Sequence, residues 1–397
     1  MGRLWSSGFE LNSTTANVEF TASAVAVPTI QTTTVRSGTY AAQVTSLGSG
    51  ISKGLSYDYS SAVSNGPHFY RFYLRVATLP SAENYICYIT GTGEIDLTLD
   101  NTGALRLYDE DGVIGSPSSA LSLNTWYRIE ITFDGTAAAG SHIVRARIDG
   151  TEFAGASNRS MSGGLKTFVF GGNLADEANT TGNWYFDDIG INDSTGSFQN
   201  SYPGEGEIIH LRPNAAGDNA QWAGGTGSTF AEVDEVTPDN ATTYIQSNTL
   251  NQISDFNIDA TPAALASDDT INVVQVGTRF TGEDAGSVVG FALRIKASAS
   301  GTVEESSNIQ FNSTTYFTNA TAIPRNYALT LYDLPGASTT AWTKADLDST
   351  QIGVKDTVDP GLDGIRVSTL WLLVDHKPAG AVVASTAKTR MMMGVGI

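Results

Sequence analysis

Cysteine is nearly absent from this chain. Cys87 stands alone among 397 residues, so no intrachain disulfide can staple the fold. Its neighbours Ile86 and Tyr88 suggest a small buried hydrophobe on a packed strand. Positive charge is scarce as well: Lys and Arg number 22 against 41 Asp and Glu, a formal net charge of −19. Nucleic-acid binding draws on clustered cations that displace the counterions of the phosphate backbone, and no such cluster is present. An anionic membrane surface is disfavoured on the same ground. The four histidines, His68, His142, His210 and His376, are scattered and never near-paired, which argues against a zinc centre. No apolar run approaches the ~20 residues of a membrane-spanning helix. Neither a Gly-x-Ser-x-Gly elbow nor a phosphate-binding loop occurs. The acids of "EVDEVTPDN" (Glu232, Asp234, Glu235 and Asp239) lack the ligand order of an EF-hand loop.

What is abundant is the composition of strands and turns. Runs of Val, Ile, Tyr, Phe and Thr, bounded by Gly and Asn, recur from end to end and predict an all-β chain. The length suits two domains. In "HFYRFYLRVATLP", Tyr70, Phe72, Leu74 and Val76 fall on one face and Arg71, Tyr73 and Arg75 on the other. "EIDLTLD", "GALRLYDEDG", "NTWYRIEITFDG" and "SHIVRARIDG" alternate in the same way. "SFQNSYPGEGE" reads as a linker, because Pro203 and two glycines interrupt any ladder. Beyond it "INVVQVGTRF", "SVVGFALRIKA", "YALTLYD" and "GIRVSTLWLLVDH" are further strands. "TTAWTKADLDSTQIG" is the one helical segment, with a capping box from Thr343 to Asp346 and Gly353 as its stop. The expected organisation is a β-sandwich at 1–196, a linker at 197–207, a second sandwich at 208–378 carrying the short helix, and an apolar tail at 379–397.

Three patches of the first unit, "GFELN", "LNTWYRIEITFDG" with the following "RIDG", and "WYFDDIGIND", resemble the concanavalin A-like and jelly-roll carbohydrate-binding group. In the second unit "LRPNAAGDNAQW", "EVDEVTPDNATTYIQS", "VVQVGTRFTGEDAG" and "WTKADLDSTQIGVK" resemble β-domains of tailed-bacteriophage virion proteins, as does the opening "RLWSSGFELNSTT". The resemblance implies a structural component of a phage particle, such as a head decoration, fibre or tail-associated protein, in contact with other virion proteins. "MGRLWSSGFE" has no apolar leader core, which fits assembly in a host cytoplasm. The alternative is a carbohydrate-binding, lectin-like adhesion protein touching a host surface glycan.

Laminarinase-like glycosidases, which the first unit resembles in fold, carry Glu-x-Asp-x-Glu on one strand. Glu94 and Asp96 match, but Thr98 stands where the third carboxylate belongs and cannot serve as the general acid. Asp100 lies on the same face one residue too far. With Ile95, Leu97 and Leu99 facing the core, Glu94, Asp96, Thr98 and Asp100 are expected to share a polar face with Arg71, Arg75, Arg128, Arg145 and Arg147 as cross-strand partners. The expectation is therefore a chain that is not an enzyme, with a glycanase using Glu94 as the least favoured reading. Tyr73 and Trp126 alternate onto the polar face beside Arg128 and Glu130, and flat rings stack on sugars, so these four are the candidate carbohydrate contacts. The jelly-roll resemblance implies a structural calcium between Glu10 of "GFELN" and Asp187 of "WYFDDIGI". Tyr185, Ile189, Ile191 and with them Asp187 are expected to point inward, and a buried carboxylate needs a partner. A hydrogen-bonded Asp187 without metal is the rival reading. Finally, "GIRVSTLWLLVDH" is apolar on both faces, and the tail holds Met391, Met392 and Met393. Trp371 and these methionines predict a homo-oligomer, a trimer by preference.

Overall fold

The computed structural model describes residues 2–23, 26–45, 53–60, 62–173, 181–196, 198–225, 229–240, 242–283, 288–297, 301–312, 314, 329–332, 341–358 and 364–380. Their strands form four antiparallel sheets of eight, seven, six and six strands. One hydrophobic core joins the first two sheets and another joins the last two, so the chain is two β-sandwiches in tandem. The helix is a single turn, Lys344–Leu347, with the expected capping box between Thr343 and Asp346. Gly353 is not its stop: the chain leaves the helix at Asp348, and Gly353 lies inside the strand Gln351–Asp356.

In the first sandwich the front sheet runs Thr151–Arg159, His142–Ile148, Trp126–Asp134, His68–Thr78, Asn183–Asp193, Ala41–Thr45, Thr29–Gln31, with Arg3–Ser7 also paired to Asn183–Asp193. The back sheet runs Gly112–Ile114, Leu105–Asp109, Glu94–Leu99, Asn84–Gly91, Leu165–Asn173, Lys53–Asp58, Ala22–Ser23. Tyr70, Phe72, Leu74 and Val76 face the core as their alternation predicts, and meet Ile86, Ile95, Leu97, Phe168 and Phe170 of the back sheet. Fully burying one such side chain is worth roughly 1.5–3 kcal/mol. Trp5 stacks on Tyr57 with ring centroids 4.2 Å apart, tying the first strand to the back sheet.

This arrangement corrects one expectation. The Glu94–Leu99 strand is in the back sheet, whereas Arg71, Arg75, Arg128, Arg145 and Arg147 are on front-sheet strands. The acids and these arginines therefore cannot be cross-strand partners. Asp100 pairs with Arg106 instead, and Asp109 with Arg159.

A second correction concerns Asn183–Asp193. Trp184 and Phe186 are the core residues there, while Tyr185 and Asp187 lie on the outer side in register with Arg75 and Tyr73. The register shifts between Asp187 and Gly190, where Asp188 has φ 49°, and this bulge returns Ile189 and Ile191 to the core.

In the second sandwich the strand Ile365–Lys377 lies between Thr270–Gly282 and both Ile245–Ser247 and Glu207–Leu211. Leu370, Leu372 and Val374 enter the core. A register slip opposite Arg279–Phe280 adds Val367 and Ile365 to that face, although simple alternation puts Val367 on the other. The opposite face carries Trp371 and Leu373, which pack against Ile208 and against Leu11 and Val18 of the first sandwich. Trp371 is thus 3% exposed and covered from within the chain, not held out as an oligomer contact. Trp342 belongs to the second core. Met391, Met392 and Met393 lie outside the described residues.

The two sandwiches are locked by a buried ionic junction. Asp375 Oδ2 accepts from Arg3 Nη1 at 2.8 Å and Arg71 Nη2 at 2.9 Å, and all three side chains are fully buried. Asn272 Nδ2 adds a bond to Asp375 Oδ1 at 3.3 Å. Gly206 is required beside it, because a Cβ there would sit 2.1 Å from Asp375 Oδ1 and 2.2 Å from Arg71 Nη1.

Candidate functional site

Antiparallel register aligns the outer side chains of the front sheet in rows. One row holds Glu130 and Arg71, the next Arg128, Tyr73 and Asp187, and the next Trp126, Arg75, Tyr185 and Gln43. The rows differ in access. Glu130 is 2% exposed; it accepts the Gly204 N–H at 2.9 Å and pairs with Arg128 at 3.3 Å. Tyr73 is 5% exposed and lies under the Arg36 guanidinium, 3.4 Å from its ring centroid. Arg147 covers Tyr202 of the connecting segment at 3.7 Å. The connecting segment and Arg36 therefore seal the half of the face nearest the second sandwich. Of the four candidate sugar contacts, Tyr73 and Glu130 are enclosed, while Trp126 and Arg128 stay half-buried.

The open half is the row through Trp126, where Trp126, Arg75 and Gln43 are half-buried and Tyr185 is 8% exposed. Arg75 sits over the Tyr185 ring at 5.4 Å and donates from Nε to the Asn124 carbonyl at 3.2 Å. Gln43 Nε2 donates to the Tyr185 hydroxyl at 2.9 Å. Arg75 makes no ion pair among the described residues, whereas Arg128 is neutralised by Glu130. Alternation in the sequence puts Tyr185 inward and gives Arg75 only a structural role. The signal against that reading is Trp184 and Phe186, whose phase conflicts with Ile189 and Ile191 unless a bulge intervenes.

Glu10 and Asp187, the candidate metal pair, are held by one loop, although Asp187 lies on the outer side of its sheet. Both reach the loop at 36–40. Glu10 Oε1 accepts the N–H groups of Thr39 and Tyr40 at 2.9 and 3.1 Å. Asp187 Oδ2 accepts that of Arg36 at 2.8 Å, and Oδ1 that of Asp188 at 2.8 Å. Gly38, with φ +62°, is needed there because a Cβ would meet Glu10 Oε1 at 2.2 Å. Burial pushes Glu10 up to about 8. Burial, then the neighbouring Asp188, raises Asp187 well above the usual carboxylate range. Two hard oxygen donors whose charge is disfavoured by burial match calcium in chemistry. Among the described residues, however, no group of three or more His, Cys, Asp or Glu could hold a metal, so backbone carbonyls or water would have to supply the remaining ligands. Both acids accept backbone hydrogen bonds from the 36–40 loop.

On the back sheet Glu94 is exposed, and Asp96 lies between Tyr88 and Tyr108 of the flanking strands. Burial, then the charge of Glu94, pushes Asp96 up to about 7. Thr98 donates its hydroxyl to Glu83 Oε1 at 2.5 Å, and the Tyr108 hydroxyl donates to the same oxygen at 2.9 Å. A carboxylate thus stands beside Thr98 after all, brought by the residue just before the neighbouring strand Asn84–Gly91.

No family model matches this chain, and no curated protein matches it. Among solved structures it is similar to the cellulose-induced protein Cip1, at 14% identity over 47% of this chain and 95% of that one, with a TM-score of 0.35. A Trypanosoma rangeli sialidase matches at 14% identity over 38% of this chain and 25% of its own, with a TM-score of 0.30. An alginate lyase variant solved with an alginate tetrasaccharide matches at 13% identity over 38% of this chain and 82% of its own, with a TM-score of 0.29. The match thus spans about a quarter of the sialidase. At these identities the likeness is one of fold. Two of these neighbours, the sialidase and the alginate lyase, are enzymes, against the expectation that the chain is not one.

Proposed function

We propose that this chain is a carbohydrate-binding protein whose glycan site is the open row Trp126, Arg75, Tyr185 and Gln43, bordered by Arg128. The observation that carries the reading is the row itself: the half-buried Trp126, Arg75 and Gln43 in cross-strand register, with the buried Tyr185 between Arg75 and Gln43, on the half of the sheet left open. Trp126 offers a flat apolar face to the C–H side of a sugar ring. Tyr185 supports Arg75 through its ring and Gln43 through its hydroxyl, so both polar groups are held in place before a ligand arrives, which lowers the ordering cost of binding. Strands lie about 4.8 Å apart, so the row spans roughly 14 Å, room for a short oligosaccharide. The guanidinium of Arg75, which makes no ion pair among the described residues, favours a glycan bearing a carboxylate. Calorimetry with such an oligosaccharide tests the reading: Trp126→Ala and Arg75→Ala should each weaken binding tenfold or more, about 1.4 kcal/mol. Unchanged affinity in both variants would remove the site.

The setting of that site is a second proposal. The stretches resembling phage virion proteins occur in both sandwiches and favour a particle-borne, self-assembling protein. Peptides of this chain in the mass spectrum of purified particles would support it. Their absence from particles of a producing host would count against it. Calcium at Glu10 and Asp187 is likewise a proposal, and would serve to neutralise two buried acids and fix the 36–40 loop.

A further inference from the structure

The second sandwich holds a polar cleft of about 180 Å³ lined by Gln221, Gln246, Asn248, Gln252, Ser247 and Glu283. Its four carboxamides share one feature: each already uses its oxygen. Gln221 Oε1 accepts the Ile253 N–H at 2.8 Å, Gln246 Oε1 accepts from Arg366 Nε at 3.4 Å, Gln252 Oε1 accepts from Ser247 Oγ at 3.0 Å, and Asn248 Oδ1 accepts from Thr249 Oγ1 at 3.2 Å. Backbone N–H and guanidinium are donors only, so the orientations of Gln221 and Gln246 are fixed by chemistry. The four NH2 groups have no partner among the described residues. A cleft whose fixed donors are the Gln221 and Gln246 amides matches a ligand rich in acceptor oxygens.

The charge around it selects among such ligands. Glu283 lines the cleft and is held by Arg366 at 2.7 Å. Ser247 Oγ, at the cleft wall, also lies 3.0 Å from Oδ2 of the buried Asp356. In a chain of net charge −19 these carboxylates disfavour phosphate, sulfate or a uronate. Hydroxyl groups both accept from the amides and donate to Glu283. The volume holds several waters, the scale of one hexose ring. We infer that this cleft is a second ligand site, binding a single neutral pyranose unit through carboxamide donors. The inference rests on a different surface from the front-sheet row and does not depend on it.

The test uses the full chain and saturation-transfer NMR with glucose, galactose, mannose and N-acetylglucosamine. Two variants address the cleft: Ala223→Trp, which plugs it from an exposed position on its wall without removing a side-chain hydrogen bond, and Gln246→Leu, which removes one donor. Trp126→Ala serves as the control for the front sheet. At least one sugar should show transfer, reduced tenfold or more in whichever cleft variants melt like the parent, and unchanged in Trp126→Ala. No transfer to any of the four sugars, or transfer that survives in a correctly folded cleft variant, would overturn the inference. Transfer lost only in Trp126→Ala would overturn it too, and would assign the neutral sugar to the front sheet.

Discussion

Replacing Asp375 by Asn perturbs the junction on which the two sandwiches meet. The carboxylate is fully buried, and so are the guanidiniums of Arg3 and Arg71 that bind it. Removing one partner of a buried ion pair typically costs about 3–5 kcal/mol, because the other charge stays buried without compensation. Two buried arginines lose their shared carboxylate here, so the expected loss is about 4–5 kcal/mol. For a unit of 150–250 residues that corresponds to a fall of roughly 8–20 °C in melting temperature. The contrast is Glu152→Gln, which breaks the Arg145–Glu152 pair whose side chains are both 37% exposed; a surface pair is worth about 0–1 kcal/mol. Acidity should act in the same direction as Asp375→Asn. Burial alone would raise the Asp375 carboxyl, but Arg71 and Arg3 outweigh it and hold it below the usual range. Its contribution is therefore complete above the unfolded value near 4 and is lost as pH falls through the lower folded value. Urea midpoints measured at pH 7 and pH 3 with tryptophan fluorescence would test this. If Asp375→Asn costs no more than Glu152→Gln at pH 7, the junction is not a stabilising element.

Asp96 gives a pH signature of opposite sign. Its folded value, near 7, lies above the unfolded one, so ionisation opposes folding. Asp96→Asn should gain stability over the parent progressively between pH 4 and pH 7 and hold a constant advantage above that, read from melting curves; a flat difference across the range would show that Asp96 ionises freely in the fold. If calcium joins Glu10 and Asp187, chelator should lower the melting temperature and added calcium restore it by mass action. An unchanged curve, with no calcium by elemental analysis, would leave the hydrogen-bonded arrangement as the whole account of those acids.

The sequence carries the faces of its strands well and their neighbours poorly. Alternation in "HFYRFYLRVATLP" places Tyr70, Phe72, Leu74 and Val76 in the core, and Thr343 with Asp346 marks the helix start, because both signals are local. Which sheet a strand joins is not local. The period of two in "EIDLTL" is equally compatible with a place beside Arg71 or in the opposite sheet, and the latter holds. Bulges escape the same reading. One residue at Asp188, and one opposite Arg279–Phe280, reverse the alternation along the rest of each strand, so a strict period of two puts Tyr185 and Val367 on the wrong sides. The enclosure of Tyr73 and Glu130 is equally invisible in the sequence, since it depends on a connecting segment that reads as a free linker yet folds back so that Gly204 meets Glu130.

The central claim is that the open row of the front sheet recognises a glycan, and a glycan array probed with the intact chain tests it most directly. The account predicts retention on carboxylate-bearing oligosaccharides, weak or no retention on their neutral counterparts at the same density, and loss of the retained signal in Arg75→Ala. Absence of signal across the array, or a signal that Arg75→Ala leaves unchanged, would contradict it.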